Sequence, residues 1–174
     1  MAGTIGKGMG TMKWIRQIKG LLCMLALGLG SAAGAQLVSS QQPASVVQAM
    51  ESEGWAARLV APKDGDPYIE SKRDGLKLLV LFMNCNTDHQ DCRSLQFYMG
   101  FNDAKDTTLD QLNEWNRTKR FGRAYRDEEG DPVMEMDVDT DQGGISPALF
   151  AEYLKTWSSL MEQFHGHIYP TKDS

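Results

Sequence analysis

The sequence lacks any apolar run long enough to cross a bilayer as a helix, and it holds only three cysteines in 174 residues. A spanning helix needs about 20 consecutive apolar residues, and the longest uncharged apolar stretch, Leu21 to Leu29, falls far short of that. No Gly-rich phosphate loop, Gly-x-Ser-x-Gly elbow or Ser/His/Asp set in a readable context occurs, so the common nucleotide-binding and acyl-transfer chemistries have no motif here. The Cys-x-x-Cys spacing that tunes redox thiols is missing as well. No self-similarity at the repeat length of solenoids is visible, which excludes a repeat architecture.

What is present at the amino terminus is an address. Lys7, Lys13, Arg16 and Lys19 precede the Leu21–Leu29 run, and no acidic residue accompanies them. The run ends in Ser31-Ala32-Ala33-Gly34-Ala35, where Ala33 and Ala35 form the small-x-small pair that signal peptidase accepts. Positive, apolar, small, in that order, is the secretory pattern, so residues 1–35 are expected to be a signal peptide cut after Ala35. Cys23 lies inside the apolar run, which speaks against a lipoprotein anchor, and one arginine does not make a twin-arginine signal. The expected location is therefore periplasmic or secreted, with no stable membrane insertion after cleavage.

Removal of the leader changes the arithmetic. It takes four of the 18 basic residues and none of the 23 acidic ones, so the formal charge moves from −5 to −9. An acidic surface repels phosphate backbones, which makes nucleic acid a poor partner. The 139 residues left suit one domain with one core. Cys23 leaves too, and Cys85 and Cys92 remain at the ends of a polar loop. An even pair in an oxidising compartment is expected to form a disulfide, worth about 2 kcal/mol or less because the loop is short.

Periodicity then orders the chain. Residues 36–42 form a polar lead-in with no packing pattern, expected to be flexible. Pro43 to Gly54 reads as a helix, with Trp55–Val60 and Tyr68–Ser71 as two weak strands. Leu76–Met83 is apolar on both faces, which predicts a central strand covered on each side. Ser94 to Phe101 alternates as a half-buried strand. A helix capped by Thr107 or Thr108 runs to Lys119, then strands Phe121–Arg126 and Val133–Asp139 flank an acidic turn, with Glu135, Asp137 and Asp139 facing outward. Ser146-Pro147 starts a long helix carrying Leu149, Phe150, Tyr153, Leu154, Trp157, Leu160, Met161 and Phe164 on one broad face. Counting one of the two weak strands, the order is α-β-β-β-α-β-β-α, an α+β domain with an antiparallel sheet over residues 43–168 and a tail at 169–174.

These residues resemble the YbjN-domain family. The resemblance is carried by Leu112-Asn113-Glu114-Trp115-Asn116, Arg120-Phe121-Gly122-Arg123-Ala124-Tyr125, the Asp127–Asp131 turn, Val133–Asp137, Gly143-Gly144-Ile145-Ser146, Cys85 and Ser94–Phe97. It implies a fold like that of type III secretion chaperones, often paired into dimers, so a homodimer is one expected partner arrangement. It also implies a family without an established enzymatic activity, loosely described as sensory or regulatory, with no catalytic residues to carry over. An exported, non-enzymatic, chaperone-like or regulatory domain that meets an unidentified protein partner is the reading this supports. Many members of the family are cytoplasmic, so their roles transfer poorly to a chain with a signal peptide.

Side chains that could do more were weighed against quieter roles. Cys85, Asp88, His89, Asp91 and Cys92 hold enough donors for zinc in principle, and a metal-responsive or weakly enzymatic domain centred on that loop is the alternative function. The spacing favours a disulfide with solvated polar residues, so neither a metal nor a cofactor is expected. His165 and His167 flank a glycine where the last helix ends, a placement better suited to capping. Asp137, Asp139 and Asp141 begin like a calcium loop, yet Gln142 and Ala148 stand where it needs glycine and glutamate. Asn116-Arg117-Thr118 matches a glycosylation acceptor inside an expected helix, and is discounted. Asn113, Trp115, Asn116, Arg120 and Arg123 remain as a polar–aromatic cluster. Its quieter role is to order the turn into the hairpin; its functional role is to meet a partner, since tryptophan and arginine are enriched at binding hot spots.

Overall fold

The computed structural model describes residues 36–170. The expected signal peptide with its cut after Ala35, and the last four residues of the tail, lie outside the described residues. The described chain runs α1 (Pro43–Ser52), β1 (Ala56–Val60), β2 (Tyr68–Arg73), β3 (Leu76–Met83), β4 (Ser94–Gly100), α2 (Leu109–Thr118), β5 (Arg123–Arg126), β6 (Pro132–Asp139) and α3 (Pro147–Ile168). The strands form one antiparallel sheet in the order β1-β2-β3-β4-β6-β5. This is the α+β architecture the alternation predicts, and both weak early segments form strands.

Local chemistry sets each boundary. Asp74 and Gly75 join β2 to β3 with φ of 49° and 85°, the doubly positive geometry of a two-residue hairpin whose twist matches its strands. Ser146 caps α3 by accepting the Leu149 N–H at 3.2 Å, and Pro147 follows where a missing N–H costs nothing. The helix then buries Phe150, Leu154, Trp157, Leu160, Met161, Phe164 and Ile168.

Register explains what those side chains meet. Ile69, Val80, Phe97 and Met136 stand in one row across β2, β3, β4 and β6, and all are buried. Phe97 lies under α3, its ring 6.2 Å from Phe150 and 5.6 Å from Trp157. Tilted aromatic pairs at such distances add about 0.5–1.5 kcal/mol beyond their area. On this face α1 contributes Val46 and Met50, and α2 contributes Leu112 and Trp115, to one core.

The expectation that β3 is covered on both sides is corrected here. The three helices share one face, and on the other face Leu79, Leu81 and Met83 are only half-buried. Their shielding comes from cross-strand neighbours instead: Tyr98 opposite Leu79, and Tyr68 and Gln96 opposite Leu81. Aromatic and amide neighbours cover enough apolar surface for the pattern to look buried in sequence.

The lead-in also differs from expectation, because part of it is structural. Val38 is 1% exposed, and its N–H and C=O exchange 2.9 Å bonds with Ile145. Ser40 donates from its N–H to Thr140 Oγ1 at 3.1 Å and from its hydroxyl to the Cys92 carbonyl. Partners 52 to 100 residues from Ser40, and Ile145 for Val38, supply this order, which no local pattern could reveal. Gly144 makes the bridge possible: at φ 102°, a Cβ there would lie 2.6 Å from the Val38 carbonyl oxygen. Gly144→Ala is therefore expected to cost about 2 kcal/mol or more through strain and clash, measured as a lowered denaturation midpoint at unchanged m-value.

Candidate functional site

The most closely specified region joins α2 to β5. Thr108 and Gln111 form a capping box: the Gln111 N–H donates to Thr108 Oγ1 at 3.2 Å, and the Thr108 N–H donates to Gln111 Oε1 at 2.7 Å. The cap fixes where the helix starts and so where Trp115 and Asn116 fall. Trp115 is fully buried, edge-on to Phe164 at 5.0 Å, and its indole N–H donates to the Gly122 carbonyl at 3.0 Å. Asn116 faces the outer edge of β5. Its Nδ2 donates to the Ala124 carbonyl and its Oδ1 accepts from the Ala124 N–H, both at 2.8 Å. One side-chain amide thus satisfies two backbone groups that an edge strand would otherwise present to another chain.

Between these two clamps the chain makes a tight turn. The Gly122 N–H donates to the Arg120 carbonyl at 2.9 Å across Phe121, whose φ is 71°. That pairing belongs to the γ-turn of positive φ, a rare and strained conformation. Gly122 cannot be larger without moving the core, since a Cβ there would meet Met134 Sδ at 3.0 Å and Leu160 Cδ1 at 3.3 Å. Phe121 is 62% exposed, and the Arg120 guanidinium lies 5.0 Å from its ring centre. The strand expected from Phe121 accordingly begins at Arg123, because the turn consumes the two residues before it.

Glu135, expected to face solvent with Asp137 and Asp139, is instead 4% exposed. It points away from the helices, as the alternation requires, but side chains from β5 roof it. Arg123 donates to Oε2 from Nε at 2.9 Å and from an Nη at 2.5 Å, while the Tyr125 hydroxyl donates to Oε1 at 2.7 Å. Burial, followed by the hydrogen bond to Glu135, pushes the Tyr125 phenol up to about 12. Burial also raises Tyr98, helped by the charges of Asp127 and Glu135. Arg126 is held by the carbonyls of Thr107 and Lys105. The two phenols move away from neutrality, the opposite of what proton-transfer chemistry near pH 7 requires.

The cysteine loop is closed. Cys85 and Cys92 are joined with an S–S distance of 2.03 Å, so the two softest donors of the metal alternative are spent on each other. His89 Nδ1 lies 2.7 Å from Asp66 Oδ1, Asn86 Nδ2 donates to Asp91 at 3.1 Å, and Asn86 Oδ1 accepts from the Asp88 and Gln90 N–H groups. Among the described residues no group of three His, Cys, Asp or Glu side chains is placed to hold a metal ion. His167 Nε2 donates to the Gln111 carbonyl at 2.7 Å, tying the end of α3 to the start of α2, and the helix continues through it to Ile168.

Of the five residues singled out in sequence, four converge on the α2–β5 connection. Trp115 is buried beneath it, Asn116 clamps it from the exposed strand edge, and Arg120 and Arg123 remain exposed around it. Asn113 is exposed on α2. Sequence reasoning passed over Phe121, Tyr125 and Glu135. A phenylalanine before Gly-Arg-Ala-Tyr reads as a strand residue, and an alternating acid reads as solvated, so no local signal marks either as special.

The described residues form an α+β domain with one open sheet face and a turn clamped between α2 and β5. The family model for YbjN, described as "Putative bacterial sensory transduction regulator", matches residues 42–169, and the chain belongs to that family. No curated protein matches it.

Two outcomes follow from this geometry. Asn116→Ala leaves the Ala124 N–H and C=O without their partner and should cost about 1–2 kcal/mol, read by chemical denaturation, with greater aggregation on standing. The second concerns alkaline pH. Tyr125 and Tyr169 both have folded values of about 12, above the ordinary phenol value of 10.0, so the folded state prefers the neutral form. The stability this provides is complete below pH 10 and lost as pH rises through 10 to 12. Spectrophotometric titration should show Tyr125 and Tyr169 among the late phenols, with Tyr98 also above its ordinary value, and Tyr125→Phe should remove one of the late ones.

Proposed function

We propose that this chain is an exported, non-enzymatic regulator that acts in the periplasm through contact with another protein. One observation carries the reading: the polar side chains that the fold gathers at the α2–β5 connection are spent on building a surface. Glu135 holds Arg123 and Tyr125, Asn116 seals a strand edge, and Trp115 anchors a turn. Such groups position a surface for recognition, and the family's description as a regulator agrees with that role. The secretory pattern of residues 1–35 and the closed Cys85–Cys92 pair support the compartment.

The test has two parts. Fractionation of cells producing the full chain should place it outside the cytoplasm with Gln36 as its first residue; an unprocessed cytoplasmic protein would end the export reading. Crosslinking those cells with an amine-reactive reagent should recover a recurrent, discrete heterologous protein. Repeatedly empty crosslinking would count heavily against a contact role. A stoichiometric metal ion retained through mild purification would instead favour the loop-centred alternative.

A further inference from the structure

We propose that the Phe121 turn, with Arg120 beside it, is the docking point for an acidic protein segment that encloses the Phe121 ring in an apolar notch. This inference rests on the protein-contact reading above and names its surface.

Charge gives the first argument. Residues 117–126 read Arg-Thr-Lys-Arg-Phe-Gly-Arg-Ala-Tyr-Arg, with five cations, two aromatic rings and no acid, in a chain of formal charge −5. A block of one sign within a chain of the other sign steers a partner of opposite charge to that place.

Geometry gives the second, independent argument. Phe121 sits at positive φ and is 62% exposed, so its ring adds little to the core while its backbone is strained. A bulky side chain in the left-handed region is an outlier, and strain of this kind persists only where surrounding structure over-determines it. The surroundings do so: Trp115 holds the Gly122 carbonyl, Asn116 holds both backbone groups of Ala124, and Met134 and Leu160 close on Gly122. The ring is presented on a fixed stem, which lowers the ordering cost of binding.

The same details favour a protein over a membrane surface. Arg117 pairs with Glu114, Arg123 with Glu135, and Arg126 with two carbonyls, while Lys119 Nζ donates to Gln163 Oε1 at 2.7 Å. The Arg120 side chain alone among the five makes no hydrogen bond or ion pair among the described residues, and it lies over the Phe121 ring. One directed cation beside one aromatic anchor suits a shaped, carboxylate-rimmed notch; a lipid surface asks for several free cations and a wider apolar patch.

The closing experiment uses the full chain. Phe121→Gly should leave the melting temperature within about 2 °C of wild type, or raise it, because glycine adopts positive φ freely. A larger fall would mean that the ring holds the fold, and would overturn the assignment. In cells, p-benzoylphenylalanine at position 121 should photocrosslink to an acidic segment of another protein, whereas the probe at Leu149, which is also exposed, should not. Arg120→Glu should reduce that adduct at least tenfold. Capture of a second copy of this chain, capture equal to that from position 149, no adduct, or Phe121-dependent pelleting with phosphatidylglycerol vesicles would each overturn it. If a scan of other exposed positions captures proteins while 121 does not, only this surface fails. If no position captures any protein, the contact reading fails with it.

Discussion

The pairing between the Asn116 amide and the backbone of Ala124 is the constraint on which one end of the molecule depends. A six-stranded sheet must end somewhere, and β5 is its short outer strand. By meeting both the N–H and the C=O of Ala124, Asn116 closes the ladder with a side chain and ties the strand to α2. The position of β5 then sets everything beside it. Arg123 and Tyr125 reach across to roof Glu135, the Gly122 carbonyl meets the Trp115 indole, and the chain between is squeezed into the turn that carries Phe121. The cost of bringing a carboxylate out of water is met there by three short hydrogen bonds rather than by exposure.

The two faces of the sheet follow different rules. On the helix side, rows of Ile69, Val80, Phe97 and Met136 pack against Phe150 and Trp157, and burial dominates. On the other side one row reads Arg58, Glu70, Leu79, Tyr98, Glu135, Arg123 from edge to edge. An ion pair closes each end and two bulky side chains hold the middle, with no helix covering the row. The half-buried state of Leu79 is the product of that row.

Much of this was legible in the sequence, for reasons that differ by element. The 3.6-residue period of α3, its Ser-Pro start, the Thr108 cap and the Asp-Gly turn are local signals, and local signals suffice where short-range geometry decides. The cluster around Trp115 was legible as a place, because tryptophan and asparagine with several arginines are unusual neighbours. Its internal division of labour was not, since the partner of Asn116 is a backbone and carries no signature. The burial of Glu135 and the ordering of Val38 depend on residues from other strands or from the far end of the domain. The open sheet face was misread because apolar alternation reports burial without saying what does the burying.

That last class of contact has a temporal meaning. Ser40 and Thr140 meet across a sequence separation of 100, and Val38 bridges Ile145 a few residues further on. The beginning of the domain therefore cannot settle until nearly all of it has been made and the β4–β6 pairing exists to receive it. Long-range closure of this kind comes late because the loop entropy must be overcome before the contact forms. A chain emerging residue by residue, from a ribosome or through a narrow pore, would keep its first residues pliant until β6 and the turn after it had followed.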